Sequence, residues 1–284
     1  MAFLHKVIGT AVIASAFVVG HARADVVDLT VNGGGTAIID FSDYESFTNG
    51  LTPGSQNYGV FEINAITVNG TSVFSAGENG QYLAGVFNGI TVNTVSGTAP
   101  NLNVGNSGGA FQIWQVTGSE IASAGAGLNI GNLFAQGSSG YSAATCAIAS
   151  LCYNGITNVG GSDFLNFKLV PGADAAGDSL LATVTSTNVP VTGSANGYGV
   201  IDGGDAASQF AEGTYTTALG TPADITFADE FCPAGSAGRC LGTTPVGNWQ
   251  DLSFDPATVG VPEPFTLSIM GVGMIGLGMV RRRR

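Results

Sequence analysis

Seven Asn-Gly dipeptides punctuate this chain, at 32–33, 49–50, 69–70, 79–80, 88–89, 154–155 and 196–197. Asn and Gly are the residues that most readily take positive φ, which two-residue hairpin turns require at both central positions. A chain interrupted this often has room for short strands and little for long helices. Glycine, 44 of 284 residues without a three-residue period, adds to the same restriction.

Two of the dipeptides lie between alternating apolar residues and predict hairpins. One is ITVNGTSVF, with Ile66 and Val68 before the turn and Val73 after it; the other is GVFNGITVN, with Val86 before and Ile90 and Val92 after. Upstream of the first, Phe61 and Ile63 share one alternating face while Ile66 and Val68 fall on the other, which predicts a bulge near Ala65. Further strands are predicted at Val26 to Val31, Ala37 to Phe41, Phe111 to Val116, Phe164 to Val170, Leu180 to Thr185, Tyr198 to Ile201, Ile225 to Phe227 and Leu252 to Phe254. Only AATCAIASLC and DAASQFAEG read as short helices. The pattern predicts an all-β body, a β-sandwich or jelly roll of short antiparallel strands, in one domain or two.

The two ends follow other rules. Lys6, an apolar run from Val7 to Gly20 and then Ala22-Arg23-Ala24 read as a secretory signal helix over 1–24, cut to leave Asp25 first. Phe265 to Val280 carries no charge and is followed by Arg281, Arg282, Arg283 and Arg284. As a helix that run would span about 24 Å, short of a hydrocarbon core of about 30 Å but workable with a snorkelling arginine. The arginines would act as a stop-transfer cluster, holding the C-terminus in the cytoplasm with the body across the membrane. Gly271, Gly273, Gly276 and Gly278 make the helix a poor permanent anchor. The predicted order is therefore signal peptide 1–24, β-rich extracellular body 25–255, an exposed Pro/Gly linker 256–264, and a transmembrane helix with its tail 265–284.

Val261-Pro262-Glu263-Pro264, a short Gly-rich apolar helix and a terminal arginine cluster, in that order, resemble the PEP-CTERM sorting signal of Gram-negative bacteria. The resemblance covers about the last 24 residues. It implies that signal peptidase and exosortase act on the chain during export, and that the body reaches the cell surface or the exopolysaccharide matrix. Membrane contact would then be only through the C-terminal helix before processing. A second, fainter resemblance lies in NYGVFEINAITVNG, GENGQYLAGVFNGITV, NGYGVIDGGDAASQF and PADITFADEF, segments similar to PEP-CTERM proteins linked to flocculation. It implies a matrix, biofilm or floc protein.

Charge and chemistry narrow what the body can do. Between Asp25 and Gly260 only Lys168 and Arg239 are basic, against nineteen of the twenty acids, a net charge of −17. Such a body repels nucleic acid and anionic surfaces and favours cations or neutral sugars. His5 and His21 are the only histidines, and both fall in the signal. A Ser-His-Asp triad, a Cys-His pair and a His-bound zinc are thereby excluded from the mature body, and GNSGGA at 105–110 reads as a Gly-rich turn. No catalytic residue is assigned. Carboxylate chemistry survives as the enzymatic alternative, a glycosidase using paired acids, with Asp229-Glu230 and Asp202 with Asp205 the clusters to inspect.

Calcium is the one cofactor considered, with oxygens offered by GGSD, GADAAGD and DGGD, and Asp202 and Asp205 its first candidates, as in a calcium-dependent adhesin. Cys146 with Cys152 and Cys232 with Cys240 are the local disulfide pairings among three connectivities, a metal site being the alternative. Trp114 and Trp249 are candidates for stacking on sugar rings, with Tyr44, Tyr58 and Tyr82 comparable; burial in the core is the competing role. The expectation is a non-enzymatic surface or matrix protein associated with exopolysaccharide.

Overall fold

The computed structural model describes residues 27–29, 33–117, 162–187, 191–231 and 251–262. These are mostly strand, joined in antiparallel pairs, and no helix of seven or more residues occurs among them. Single 3-10 turns lie at Glu78–Gly80 and at Ala207–Gln209, the second within the predicted short helix DAASQFAEG. The predicted terminal helices, and AATCAIASLC, lie outside the described residues. Among the described residues no helix is long and apolar enough to cross a membrane.

The strands are β1 (Gly35–Phe47), β2 (Gln56–Val68), β3 (Thr71–Ser75), β4 (Gln81–Ser96), β5 (Leu102–Ser107), β6 (Ala110–Thr117), β7 (Ser162–Val170), β8 (Leu180–Ser186), β9 (Thr192–Gly203), β10 (Tyr215–Thr216), β11 (Pro222–Ala223), β12 (Ile225–Phe231) and β13 (Asp251–Val261). Eleven of them form one sheet in the order β3-β2-β1-β13-β12-β9-β7-β6-β4-β5-β8, and the added pairings β2–β4 and β9–β8 close it on itself. A closed circuit runs β1-β2-β4-β6-β7-β9-β12-β13, so these strands have neighbours on both sides. Toward one end β5 and β8 replace β6 and β7 between β4 and β9: β4 pairs β6 along Gln81 to Asn88 and β5 along Thr91 to Ser96.

Local signals explain much of this. Asn69 and Gly70 have φ of 51° and 79° and turn β2 into β3, the hairpin predicted there. The bulge expected near Ala65 falls on Asn64: Asp40 pairs Ala65 while Phe41 pairs Ile63. That extra residue returns Phe61, Ile63, Ile66 and Val68 to one interior, each at most 3% exposed.

The second predicted hairpin is not formed. β4 runs straight through Asn88-Gly89, because residues on both sides of it find partners on neighbouring strands. Asn57 pairs Ile90 and Gly59 pairs Phe87, leaving Tyr58 opposite two residues. Gly89, at φ 76°, supplies a bulge instead of a reversal. GNSGGA ends in a turn as expected, with Gly108 and Gly109 at φ 70° and 117° joining β5 to β6. Asn196-Gly197 also lies inside a strand, β9, where a Cβ on Gly197 would meet the Ser179 carbonyl at 2.7 Å.

The linker expectation needs correction as well. Pro256 to Val261 belong to β13, paired with β1 from Asp40–Pro256 to Gly35–Val261, and Ala257, Val259 and Val261 are buried. Proline lacks the N–H of a ladder, yet it fits here because the β12–β13 pairing skips from Phe227–Ala257 to Glu230–Phe254, interrupting the ladder beside Pro256. Of the Val26 to Val31 strand, only 27–29 are described; Val27 and Leu29 are buried without forming a strand.

Six phenylalanines fill the middle of the closed sheet: Phe41, Phe61, Phe87, Phe111, Phe167 and Phe227. Phe111 is their hub, with ring centroids 4.5 Å from Phe167, 5.3 Å from Phe87, 5.8 Å from Phe227 and 6.0 Å from Phe61. A second apolar cluster, built on Val92, Val104, Ala182, Val184, Val191 and Ala195, fills the forked end.

Candidate functional site

The candidate carboxylates divide by what holds them. Asp202 forms an ion pair with Lys168, and Asp205 follows the end of β9, its N–H bonded to the Asp163 carbonyl at 2.8 Å. Among the described residues no three His, Cys, Asp or Glu side chains gather as a metal would need. Asp174, in GADAAGD, accepts the N–H groups of Ala176, Gly177 and Asp178 at 2.9, 3.0 and 3.2 Å, closing its own loop. Asp229 and Glu230 sit consecutively on β12 and therefore point to opposite faces, Asp229 half-buried and Glu230 exposed. Their carboxyl groups therefore do not face one another across one surface.

The closed sheet brings other acids inward. Along β1 every second residue faces the interior: Ala37, Ile39, Phe41, then Asp43 and Glu45, each 4% exposed, then Phe47. Asn57, across on β2, donates from Nδ2 to Glu45 Oε2 at 2.5 Å, and its own Oδ1 is buried with no hydrogen-bond partner among the described residues. Asn106 on β5 donates to the Leu180 carbonyl at 3.2 Å. Glu45, Asn57 and Asn106 line a cavity of about 20 Å³ whose other walls include Val104, Ala182 and Val184. That is room for about one water molecule. The signal for this polar layer is in the alternation of AIIDFSDYESF, where Asp43 and Glu45 continue the face of Ala37, Ile39 and Phe41.

Glu62 is the buried acid of the opposite face. It lies in a cross-strand row on the outer wall, Ser42–Glu62–Ala84–Trp114–Asp163, running over β1, β2, β4, β6 and β7. Burial pushes its carboxyl up from 4.5 to about 7, because desolvation penalises the charged form.

Trp114 stands half-buried on this outer wall, while Phe111 and Ile113 of the same strand face the core. Gln112 precedes it on the same face and pairs with Asn166. A register shift between Ile113 and Trp114 skips Phe164, which enters the core, and leaves exposed Asp163 opposite Trp114. Asn166 Nδ2 donates to Asp163 Oδ2 at 2.8 Å, and Asn166 Oδ1 is buried with no hydrogen-bond partner among the described residues.

Tyr58 is 6% exposed and is buried, which removes it from the sugar-stacking candidates. Tyr82 is half-buried, and Tyr44 lies on β1. Val261 closes β13 and Pro262 comes directly after it, half-buried. Ala22, Ala24, Asp25, Cys146, Cys152, Cys232, Cys240, Trp249, Glu263, Pro264 and Arg281 to Arg284 lie outside the described residues. No family model, no curated protein and no solved structure matches this chain.

Proposed function

We propose that this chain is an exported, non-enzymatic surface or matrix protein, delivered through a PEP-CTERM-type tail and associated with exopolysaccharide in biofilm or floc formation. Signal peptidase and exosortase are its proposed partners during export from a Gram-negative cell. The observation that carries the reading is the order of parts: a secretory start, an acidic body without histidine, then Val261-Pro262-Glu263-Pro264, an apolar helix and four arginines. The body would be a flattened closed sheet, its walls facing each other in the manner of a sandwich or jelly roll.

The end of the fold supports this reading. β13 finishes at Val261, so removal of the sorting tail beyond it would leave β1, β13 and β12 paired along their whole described length. Loop acids support the non-enzymatic part, since Asp174 and Asp224 are occupied in holding backbone N–H groups.

The carbohydrate-active alternative is favoured by one observation, the inward pair Asp43 and Glu45. It ranks second because the adjoining cavity accommodates a water and not a sugar ring. Replacing Pro262, Glu263 and Pro264 together by alanine in the full chain tests the sorting reading. The expected outcome is accumulation of an uncut form in the membrane fraction; normal release of the variant would overturn it.

A further inference from the structure

We infer that the outer wall of β6 and β7 is a saccharide-binding surface, with Trp114 as the platform and Gln112, Asn166 and Asp163 as the hydroxyl-reading groups. This rests on the matrix reading and names the place where a glycan would be held. Gln112 and Asn166 face each other across the ladder, as do Trp114 and Asp163. With neighbouring strands about 4.8 Å apart and alternate residues about 7 Å apart along a strand, the four side chains mark out a patch the size of one pyranose ring.

The chemistry of the four is complementary to a sugar. An indole face accepts the C–H face of a pyranose, and Trp114 stands partly exposed on the wall. Amide groups donate and accept at once, which suits hydroxyls that do the same. Asn166 commits one Nδ2 hydrogen to Asp163 and, with its Oδ1 buried, keeps the second hydrogen of that nitrogen to donate to a hydroxyl. Two of the three polar groups are uncharged and the third is an acid, on a body of net charge −17. A uronate or sulfated chain would be repelled, so the ligand class is a neutral polysaccharide.

The test is affinity electrophoresis of the purified full chain through gels containing either a soluble neutral β-glucan or a polyuronate. Retardation by the glucan and none by the polyuronate is expected, with W114A weakening retention by roughly tenfold. Trp114→Phe, which preserves a ring and guards against misfolding, should retain part of the binding, and Gln112→Ala should weaken it. Retardation that survives W114A and Q112A unchanged would overturn the inference and leave the matrix reading standing. An unretarded wild-type chain in the glucan gel would overturn the inference and remove the polysaccharide association with it, and stronger retention by the polyuronate would overturn the ligand class.

Discussion

Replacing Glu62 by Gln should stabilise the protein above neutral pH and leave it unchanged in acid. The Glu62 carboxyl rises from 4.5 to about 7 on folding, through desolvation. Between those values the folded protein holds a proton that the unfolded chain has released, so wild-type stability falls as pH increases through that window. A tenfold change in proton affinity is worth about 1.4 kcal/mol, which puts the full loss above pH 7 at roughly 3 kcal/mol. Gln keeps the shape of the side chain and cannot ionise, so the variant should be more stable than wild type by that amount at pH 8 and equal to it near pH 4. In thermal terms this is a change on the order of 6–12 °C for a domain of this size. Urea or thermal unfolding of both proteins from pH 4 to pH 8 reads it directly. Parallel pH profiles would refute the reasoning, since they would mean that Glu62 ionises in the folded state as easily as in the unfolded chain.

Further substitutions test the packing. Gly85→Ala should cost about 3 kcal/mol by denaturant unfolding, because its Cβ would run into the Phe61 ring and the Gln112 carbonyl. Gly89→Ala meets open space and bears only the backbone strain of φ 76°, about 1–2 kcal/mol, so the reverse ranking would contradict the bulge. Phe111→Ala should cost roughly 3–5 kcal/mol, since it removes the ring against which Phe61, Phe87, Phe167 and Phe227 pack; a loss below about 1 kcal/mol would displace it as the hub. Asp224→Ala should lose roughly 2–4 kcal/mol by freeing the N–H groups of Ile201 and Gly213, which the carboxylate accepts at 2.8 and 2.6 Å, and unaltered unfolding would show that water replaces it without penalty.

The features legible in the sequence were local ones. Asn69-Gly70 turns the chain because the short strand after it finds its partner in the strand directly before it, Thr71 opposite Val68 and Phe74 opposite Ile66. The shift of apolar face between Ile63 and Ile66 announced a bulge one residue from where it lies. Asn88-Gly89 carries the same dipeptide in the same apolar setting, yet tertiary pairing decided its conformation: β2 and the β6/β5 edge both extend past it, so the positive φ became a bulge. Proline content suggested a linker at Pro256 to Pro264, whereas Val259 and Val261 complete a wall between β1 and β12. The candidate site divided in the same way. Trp114 was visible as an aromatic in a strand, but Asn166 and Asp163 reach it only through long-range pairing and a register shift, which one sequence does not display. Asp43 and Glu45 were visible in principle, because two acids continuing an apolar alternation imply a polar layer inside.

The proposed export of this body, and its separation from the tail, are most directly tested by intact mass and cell fractionation of the full-length protein, expressed in a Gram-negative bacterium with and without exosortase. The expected result is a mature form beginning at Asp25, ending beyond Val261 and recovered from the matrix only when exosortase is present. An uncut chain in the membrane of both strains would contradict it and make Arg281 to Arg284 the end of an ordinary membrane anchor.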